Sequence, residues 1–233
     1  MANNLMVVIA AAGTGSRMNS MINKQYMLLG GKPVLYYSLN CFSQMEQVQG
    51  IIVVAHPEEV DYCQTNIVEK YQFPRVNVIP GGASRQESVQ AGLDFLDAKT
   101  SYVAVHDGAR PLIKAELVLK VFQEAKKHGA AIPAIMATDT MKVIDKDGFV
   151  INTLDRKTLI SVQTPQIFNY AGLLKAYEEA ARENFTGTDD ASLYEKYIGR
   201  VKALKGDNLN LKITSPEDLI IAEELIIKRG ENN

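Results

Sequence analysis

The residues best suited to chemistry lie near the start of the chain, where residues 7–18 read VVIAAAGTGSRM. Gly13 and Gly15 leave the backbone N–H groups of this stretch open to close approach by an anion. Arg17 adds a planar fork of donors that suits phosphate, and Lys24 follows a few positions later. The pattern predicts a loop that binds a triphosphate.

Two common phosphate-binding patterns do not fit this loop. A dinucleotide-binding loop would have glycine at position 18, where this chain has Met18. A P-loop requires Ser or Thr after its Gly-Lys pair, whereas Gly31-Lys32 is followed by Pro33. Taken alone, the stretch is also compatible with an ordinary strand-to-helix turn that carries a solvated arginine.

A second candidate segment, residues 81–88, reads GGASRQES. Gly81 and Gly82 lead into a predicted helix, and Ser88 adds a hydroxyl on its first turns. Backbone donors and acceptors beside a hydroxyl suit the edge of a small base. The alternative is an ordinary helix start capped by Ser84.

A third segment, residues 106–111, reads HDGARP. The carboxylate of Asp107 ends a predicted strand and suits a ribose hydroxyl or a metal ion on phosphates. Arg110 suits a phosphate, and the alternative is a turn with an Asp–Arg surface pair. His106 and Asp107 form no dyad, because consecutive strand residues face opposite ways.

These segments follow predicted strands, which alternate with helices in the first half of the chain. The predicted strands are 5–10, 50–55, 77–80, 102–106 and 130–136, and the predicted helices are 33–45, 58–71, 84–96 and 114–128. Such alternation indicates a Rossmann-like α/β fold with a mostly parallel sheet and helices on both faces. Ligands bind such sheets beyond the carboxyl ends of the strands.

The pattern changes after residue 136. A hairpin arm is predicted at about 137–157, with the turn sequence DKDG at 145–148. A lone hairpin is marginal in water, so the arm needs a surface to pack on. Helices near 172–182 and 189–197, a strand at 201–204 and a final helix capped by Ser215 follow. Lys212 precedes that cap and is interpreted as pointing into the site, the alternative being a solvated surface lysine.

Size and composition limit the functional classes. The 233 residues, 46% of them hydrophobic, predict a single domain with a substantial core. A net charge of −2 argues against a nucleic-acid partner. Cys41 and Cys63 form no metal or disulfide pattern, and no apolar run approaches the length of a membrane span. We therefore expect a cytoplasmic protein without a membrane or nucleic-acid partner.

Taken together, the segments resemble a known family in their order along the chain. They occur at 7–18, 24–26, 81–88, 106–111, 139–142, 163–166, 188–192 and 210–217. This order is similar to that of the 2-C-methyl-D-erythritol 4-phosphate cytidylyltransferases over nearly the whole chain. The departures are modest: Asn23 replaces a frequent proline, Ile160 replaces a frequent tryptophan, and residues 208–211 read slightly differently ahead of Lys212.

The resemblance implies transfer of a cytidylyl group from CTP to methylerythritol phosphate, with Mg²⁺ or another divalent cation and release of pyrophosphate. The substrate phosphate attacks the α-phosphorus in line, so catalysis depends on positioning and charge stabilisation. The implied catalytic residues are Arg17, Lys24, Arg156 and Lys212. The implied nucleotide-binding residues are Ala11, Ala12, Gly13, Gly15, Gly81, Gly82 and Ser88. The implied substrate-binding residues are Asp107, Arg110, Thr140, Arg156 and Lys212. The metal ligands stay open, with the CTP phosphates as the main ones and Asp107 as a candidate.

The family resemblance further implies a homodimer in which Thr140 and Arg156 on the arm of one chain complete the site of the other. The main alternative is a ribitol-5-phosphate cytidylyltransferase. Such enzymes tend to carry Gly-Gly at Ala12-Gly13, Phe at Tyr26 and a bulkier residue at Ala109. A non-catalytic nucleotide-binding protein would lack the cations Arg17, Lys24 and Lys212, which this chain retains. An NAD-dependent oxidoreductase is disfavoured because Met18 replaces the last glycine of the dinucleotide-binding loop.

Overall fold

The computed structural model describes residues 4–13 and 23–229. Gly15 and Arg17, two residues of the predicted phosphate loop, lie outside these ranges. The strands are β1 (Leu5–Ala11), β2 (Leu28–Leu29), β3 (Lys32–Pro33), β4 (Val48–Ala55), β5 (Val76–Pro80), β6 (Tyr102–Asp107), β7 (Ala130–Met136), β8 (Lys142–Ile144), β9 (Val150–Thr153), β10 (Ile160–Val162), β11 (Gln166–Asn169) and β12 (Lys202–Lys205). The helices are α1 (Val34–Ser43), α2 (Val60–Cys63), α3 (Arg85–Asp94), α4 (Ala115–His128), α5 (Tyr170–Arg182), α6 (Asp190–Tyr197) and α7 (Pro216–Arg229).

A mostly parallel sheet forms the centre of the molecule. β1 lies between β4 and β6 and is parallel to both, and β5 extends the sheet beyond β4. On the other side, β11 is antiparallel to both β6 and β7, and β12 pairs in parallel with the far side of β7. The predicted α/β class is confirmed, and the carboxyl ends of β1, β4, β5 and β6 share one edge.

Helices cover both faces of the sheet, as predicted. Val7 and Ile9 of β1 are fully buried against one face, in a core shared with α1, α2 and α4. Val8, between them, is buried on the opposite face with α3, α5 and α6. Strands buried on both faces explain why β1 reads as an uninterrupted apolar run. A smaller cluster packs α7 against β2 and α1, with Ile213 and Ile226 fully buried.

The antiparallel strands β10 and β11 are absent from the sequence prediction. Gln163 and Thr164, which lie between these strands, and Gln166, the first residue of β11, are all at least 95% buried. Their side chains hydrogen bond to distant partners, which is how buried polar groups are tolerated. Because those partners lie far along the chain, neither periodicity nor composition indicates strands here.

The predicted helix at 58–71 also differs from the structure. It consists of a 3₁₀ turn at Pro57–Glu59, the short α2 and a π-helical segment at Gln64–Glu69. The other helices of the first half agree with their predicted ranges to within two residues at each end. The sequence pattern located this element but did not reveal its irregular hydrogen bonding.

The hairpin predicted after residue 136 forms, as β8 pairs with β9. In its turn, Gly148 has φ +88° and donates its N–H to the carbonyl of Asp145 at 3.2 Å. Apolar side chains of this arm are open to solvent: Phe149 is 72% exposed and Ile151 is 64% exposed. Within the described residues, no helix has the length and apolar character needed to span a bilayer.

Candidate active site

A cleft of about 490 Å³ opens at the edge of the sheet where β1, β4, β5 and β6 end. This is where an open α/β sheet binds its ligands. The cleft is lined by most of the predicted site residues within the described ranges: Ala11, Ala12, Gly13, Lys24, Gly81, Gly82, Ser88, Asp107 and Lys212. Segments far apart in the sequence therefore meet in one place.

One wall of the cleft is the loop between β5 and α3. The hydroxyl of Ser88 accepts from the Gly82 N–H at 3.2 Å and donates to the Ser84 carbonyl at 2.8 Å. A Cβ at Gly81 would come within 2.7 Å of the Ser88 Oγ and 2.8 Å of the Ala12 Cβ. Glycine is therefore required for this loop to lie against β1, and the wall presents mainly backbone groups.

The start of α3 is capped as the alternative interpretation of this segment predicted. Ser84 accepts from the Glu87 N–H at 3.1 Å. The Glu87 carboxylate in turn accepts from the Ala83 N–H at 2.7 Å. The cap satisfies N–H groups that a helix start leaves open and fixes the loop at the cleft wall. Capping and cleft lining thus occur in the same segment.

Lys24 reaches the cleft from a 3₁₀ turn, Lys24–Tyr26, that is attached to the end of β1. The neighbouring Gln25 is 2% exposed, and its amide donates to the Ala11 carbonyl at 2.7 Å. On the other side, the Asn23 amide donates to Glu59 at 2.5 Å. These buried contacts fix the backbone that carries the ammonium group of Lys24.

Asp107 lies at the centre of a cluster of cations. Its Oδ2 is 2.9 Å from the Nζ of Lys212 and 3.4 Å from the Nε of Arg110. Its Oδ1 is 3.4 Å from the Nε of Arg85. Burial by itself raises the pKa of Asp107, but the three cations outweigh burial and hold the pKa well below its usual range. Asp107 is therefore a carboxylate at neutral pH.

Lys212 reaches Asp107 because its loop is attached to the end of β6. The Ile213 N–H donates to the Ala109 carbonyl at 2.8 Å, and Arg110 donates from Nη1 to the Asn210 carbonyl at 2.8 Å. The Asn210 amide donates to the Thr164 carbonyl at 2.9 Å. Arg110, which is only 9% exposed, thus holds the loop behind Asp107, and the predicted Asp–Arg pair is buried rather than on the surface.

His106 faces away from the cleft, as its place in the strand predicted. It is fully buried, with Nδ1 3.1 Å from the Thr164 hydroxyl and Nε2 3.3 Å from the Ser38 hydroxyl. Burial lowers the pKa of His106 to about 4. The ring is therefore neutral at pH 7 and connects β6 to its neighbours.

Comparison with known proteins fits this geometry. The family model IspD, 2-C-methyl-D-erythritol 4-phosphate cytidylyltransferase, matches residues 5–229. The chain belongs to this family. The 2-C-methyl-D-erythritol 4-phosphate cytidylyltransferase of Caldanaerobacter subterraneus subsp. tengcongensis is 43% identical over 97% of this chain and 100% of that protein. The Clostridium novyi protein of the same name is 41% identical over 97% of each chain. The crystal structure of 4-diphosphocytidyl-2C-methyl-D-erythritol synthase from Anaerococcus prevotii has a TM-score of 0.85, with 33% identity and 97% coverage of both chains.

Three predicted site residues within the described ranges do not line the cleft of this chain: Arg110, which is buried behind Asp107, and Thr140 and Arg156. Thr140 lies just before β8, and Arg156 follows β9 at the base of the arm. Both are exposed, and Arg156 donates from Nη1 to the Thr138 carbonyl at 2.8 Å. Within one chain, the arm residues and the cleft residues are thus separate.

The sequence reasoning missed a cleft residue of this IspD-family chain, Arg85. It begins α3, lines the cleft and forms an ion pair with Asp107. Behind the cleft it forms a bidentate pair with Asp190, a residue with 0% exposure. The available signal was a cation in the first turn of a helix that follows a glycine pair. Its ion-pair partner, Asp190, can be recognised only from the fold.

The donors present suit a metal ion that is carried mainly by phosphate. Within the residues that the structure describes, no three His, Cys, Asp or Glu side chains lie together as a ligand set. Asp107 lines the cleft and offers one carboxylate. Mg²⁺ typically binds through one or two carboxylates together with substrate phosphates and water. A divalent cation carried on substrate phosphates would meet the carboxylate of Asp107 in this cleft.

Proposed function

We propose that this chain catalyses the reaction for which its family is named, the transfer of the cytidylyl group of CTP to 2-C-methyl-D-erythritol 4-phosphate with release of pyrophosphate. One observation carries the proposal for this chain. The cleft brings together a wall of backbone groups at Gly81 and Gly82 and a cluster of cations around Asp107. Such a cleft suits a base at one end and phosphates at the other.

The nucleotide half of the site is proposed to consist of Ala11, Ala12, Gly13, Gly15, Gly81, Gly82 and Ser88. Gly81 packs too closely on Ala12 to carry a side chain, so backbone groups line this part of the cleft. Backbone N–H and C=O groups beside the Ser88 hydroxyl can satisfy both donors and acceptors on the edge of cytosine. Specificity for the base then depends on rigid backbone rather than on mobile side chains.

The catalytic half is proposed to act by positioning and by charge. The 4-phosphate of the substrate is itself the nucleophile, so no side chain needs to form a covalent bond. Arg17 and Lys24 stabilise the negative charge that grows on the transferring and leaving phosphates. Asp107 and Lys212 hold the methylerythritol phosphate in line with the α-phosphorus, and Arg110, buried behind Asp107, supports both of them. Asp107 would offer a carboxylate to a divalent cation carried by the phosphates, and such an ion would neutralise part of the charge of the triphosphate.

The arm is proposed to complete this site in a homodimer. Thr140 and Arg156 lie outside the cleft of their own chain, and Phe149 and Ile151 expose apolar surface on the same arm. A twofold dimer that exchanges arms would cover both arms at once and bring each Arg156 to the partner's phosphate-binding region. We take residues 1–233 as one nucleotidyltransferase domain, with residues 137–157 as the exchanged arm.

The reaction is proposed to take place in the cytoplasm. Cys41 and Cys63 are not joined in a disulfide, which is compatible with a reducing compartment. CTP and a polyol phosphate are the proposed small-molecule partners. The acidic balance of the whole chain gives no electrostatic basis for a nucleic-acid partner.

The test is an assay of purified protein with CTP, Mg²⁺ and one sugar phosphate at a time, with pyrophosphate as the readout. Turnover with methylerythritol phosphate should exceed turnover with ribitol 5-phosphate, because Ala12, Tyr26 and Ala109 differ from the residues that ribitol-5-phosphate cytidylyltransferases tend to carry at these positions. Equal or reversed preference would favour the ribitol alternative. Replacing CTP by UTP in the same assay tests the recognition of the base.

A further inference from the structure

Arg85 joins a carboxylate in the cleft to a carboxylate behind it. Its Nη1 and Nη2 atoms donate to both oxygens of Asp190, at 3.2 and 2.8 Å. Its Nε lies 3.4 Å from Oδ1 of Asp107. The carboxylates of Asp190 and Asp107 outweigh the effect of burial and raise the pKa of Arg85 above its usual value. The guanidinium is thus a permanent cation with a fixed orientation.

Asp190 is itself held in place. It is fully buried, and the hydroxyl of Tyr177 donates to its Oδ1 at 2.5 Å. The start of α6 is tied to β11, because Gln166 donates to Asp189 at 2.7 Å and accepts from the Ala191 N–H at 3.0 Å. A buried carboxylate with this many fixed contacts sets the position of the arginine that it binds, rather than following it.

Arg85 approaches a different oxygen of Asp107 from the one that the other two cations approach. Lys212 and Arg110 both approach Oδ2. Among the described residues, Arg85 is the only ion-pair partner of Oδ1. Without Arg85, the Asp107 carboxylate would be free to rotate toward Lys212 and Arg110. The ammonium group of Lys212, which is paired with Asp107, would then move as well.

We propose that Arg85, oriented by Asp190 and Tyr177, is a positioning residue for cytidylyl transfer that fixes Asp107 and, through Asp107, Lys212. The proposal rests on the proposed function, since it concerns the same cleft. The residues that position the reacting groups then include Asp190, which lies behind the cleft wall in the first turn of α6. Asp190 and Tyr177 act on the reaction through Arg85 alone.

The test measures kcat and both KM values for Arg85→Gln, Asp190→Asn, Tyr177→Phe and each double variant with Arg85→Gln. Arg85→Gln should lower kcat by about 10²-fold, as expected when charged groups lose their preorganisation. Asp190→Asn should lower kcat by about tenfold and Tyr177→Phe by about threefold, with KM for CTP changed by less than about threefold. In the Arg85→Gln background, neither substitution should lower kcat further, because residues that act through one another are non-additive.

Gln86→Ala is the matched control. Gln86 lies in the same turn of α3 and joins it to the segment before α6, by donating to the Phe185 carbonyl at 3.1 Å and accepting from the Gly187 N–H at 3.0 Å. It takes no part in the ion pairs of Asp107. Its loss should lower the thermal midpoint while kcat stays within about threefold of the wild-type value.

Three outcomes would overturn the proposal: near-normal kcat in Arg85→Gln, an equal fall in Gln86→Ala, or additive losses in the double variants. Tyr177→Phe removes a single oxygen and keeps the ring, so it tests the chain of contacts even where Asp190→Asn does not fold. Inactivity of the wild-type protein with CTP and methylerythritol phosphate would instead contradict the proposed function. Active wild type with unaffected variants would contradict the role of Arg85 alone.

Discussion

The Nζ atom of Lys212 lies 2.9 Å from Oδ2 of Asp107, although the two residues are far apart in the sequence. Asp107 ends β6, while Lys212 precedes α7 on a loop that hydrogen bonds to Ala109 and Arg110. The pair is half-exposed on the lysine side, where the side chain is 37% accessible. The ammonium group is therefore oriented by the protein and still open to a ligand in the cleft.

Lys212→Ala should lower kcat/KM for methylerythritol phosphate by about 10²-fold, since it removes an oriented cation beside the proposed phosphate position. The loss should appear in KM for this substrate as well as in kcat, while KM for CTP changes little. Steady-state kinetics with each substrate varied in turn measure this. Lys99→Ala, at an exposed lysine away from the cleft, is the control and should behave as wild type. An unchanged KM for methylerythritol phosphate would argue against this placement of the substrate.

Lys24→Ala and Arg17→Ala should mainly lower kcat, by about 10²-fold or more, because both cations are proposed to stabilise charge that develops only in the transition state. A variant with normal kcat and a raised KM for CTP would show that the residue only binds the triphosphate. Gln25→Ala should give a smaller fall in kcat, because it releases the turn that carries Lys24 without removing the ammonium group. Rate measurements at saturating concentrations of both substrates distinguish these cases.

Much of the fold could be predicted from local patterns. β1, β4, β6 and β7 are buried runs of apolar residues, and α4 carries a clear apolar face, so periodicity and length were sufficient. β11 could not be predicted this way. Its Gln166 is buried only because Asp189 and Ala191 satisfy its amide, and that pairing exists only after folding.

The site residues that come directly after strands could be predicted from the sequence. Gly81, Gly82 and Asp107 follow this rule, and the structure brings them to one cleft. Arg85 was missed because its importance depends on Asp190, more than a hundred residues later in the chain. Arg110 matched a phosphate-binding pattern, yet it is buried behind Asp107, and burial cannot be read from spacing alone.

The neutral state of His106 predicts a pH dependence of stability. Its pKa is about 4 in the folded protein and near 6.5 when unfolded. The stability that the neutral ring of His106 contributes is therefore fully present above pH 6.5. It is lost as the pH falls toward 4, because over this range the unfolded chain binds a proton that the folded chain does not. The shift corresponds to about 3 kcal/mol over this window.

His106→Gln should remove this part of the pH dependence. Between pH 7 and pH 4 its free energy of unfolding should fall by about 3 kcal/mol less than that of the wild type. Denaturant titrations at each pH measure the slope, so the packing lost with the ring does not affect the comparison. Equal slopes for His106→Gln and the wild type would show that the pKa of His106 is the same in the folded and unfolded states.

Complementation between two inactive variants tests whether Arg156 acts in the site of the partner. One variant carries Lys24→Ala and keeps a normal arm, and the other carries Arg156→Ala and keeps a normal cleft. Each alone should be nearly inactive. In a mixed dimer, the cleft of the second variant meets the arm of the first, so one of the two sites contains both residues and activity should return to about half of the wild-type value per dimer.

The competing arrangement has the arm folded onto its own chain. Each subunit of the mixed dimer would then lack one of the two residues, and no activity would return. Subunit exchange is followed by native mass spectrometry, so that the fraction of mixed dimers is known in every assay. A third mixture, of Lys24→Ala with Lys212→Ala, serves as the control, because both residues line the cleft of one chain and should not complement each other. Mixed dimers of the first pair that form and stay inactive would show that the site is not shared, whereas recovery confined to that pair would assign Arg156 to the neighbouring cleft.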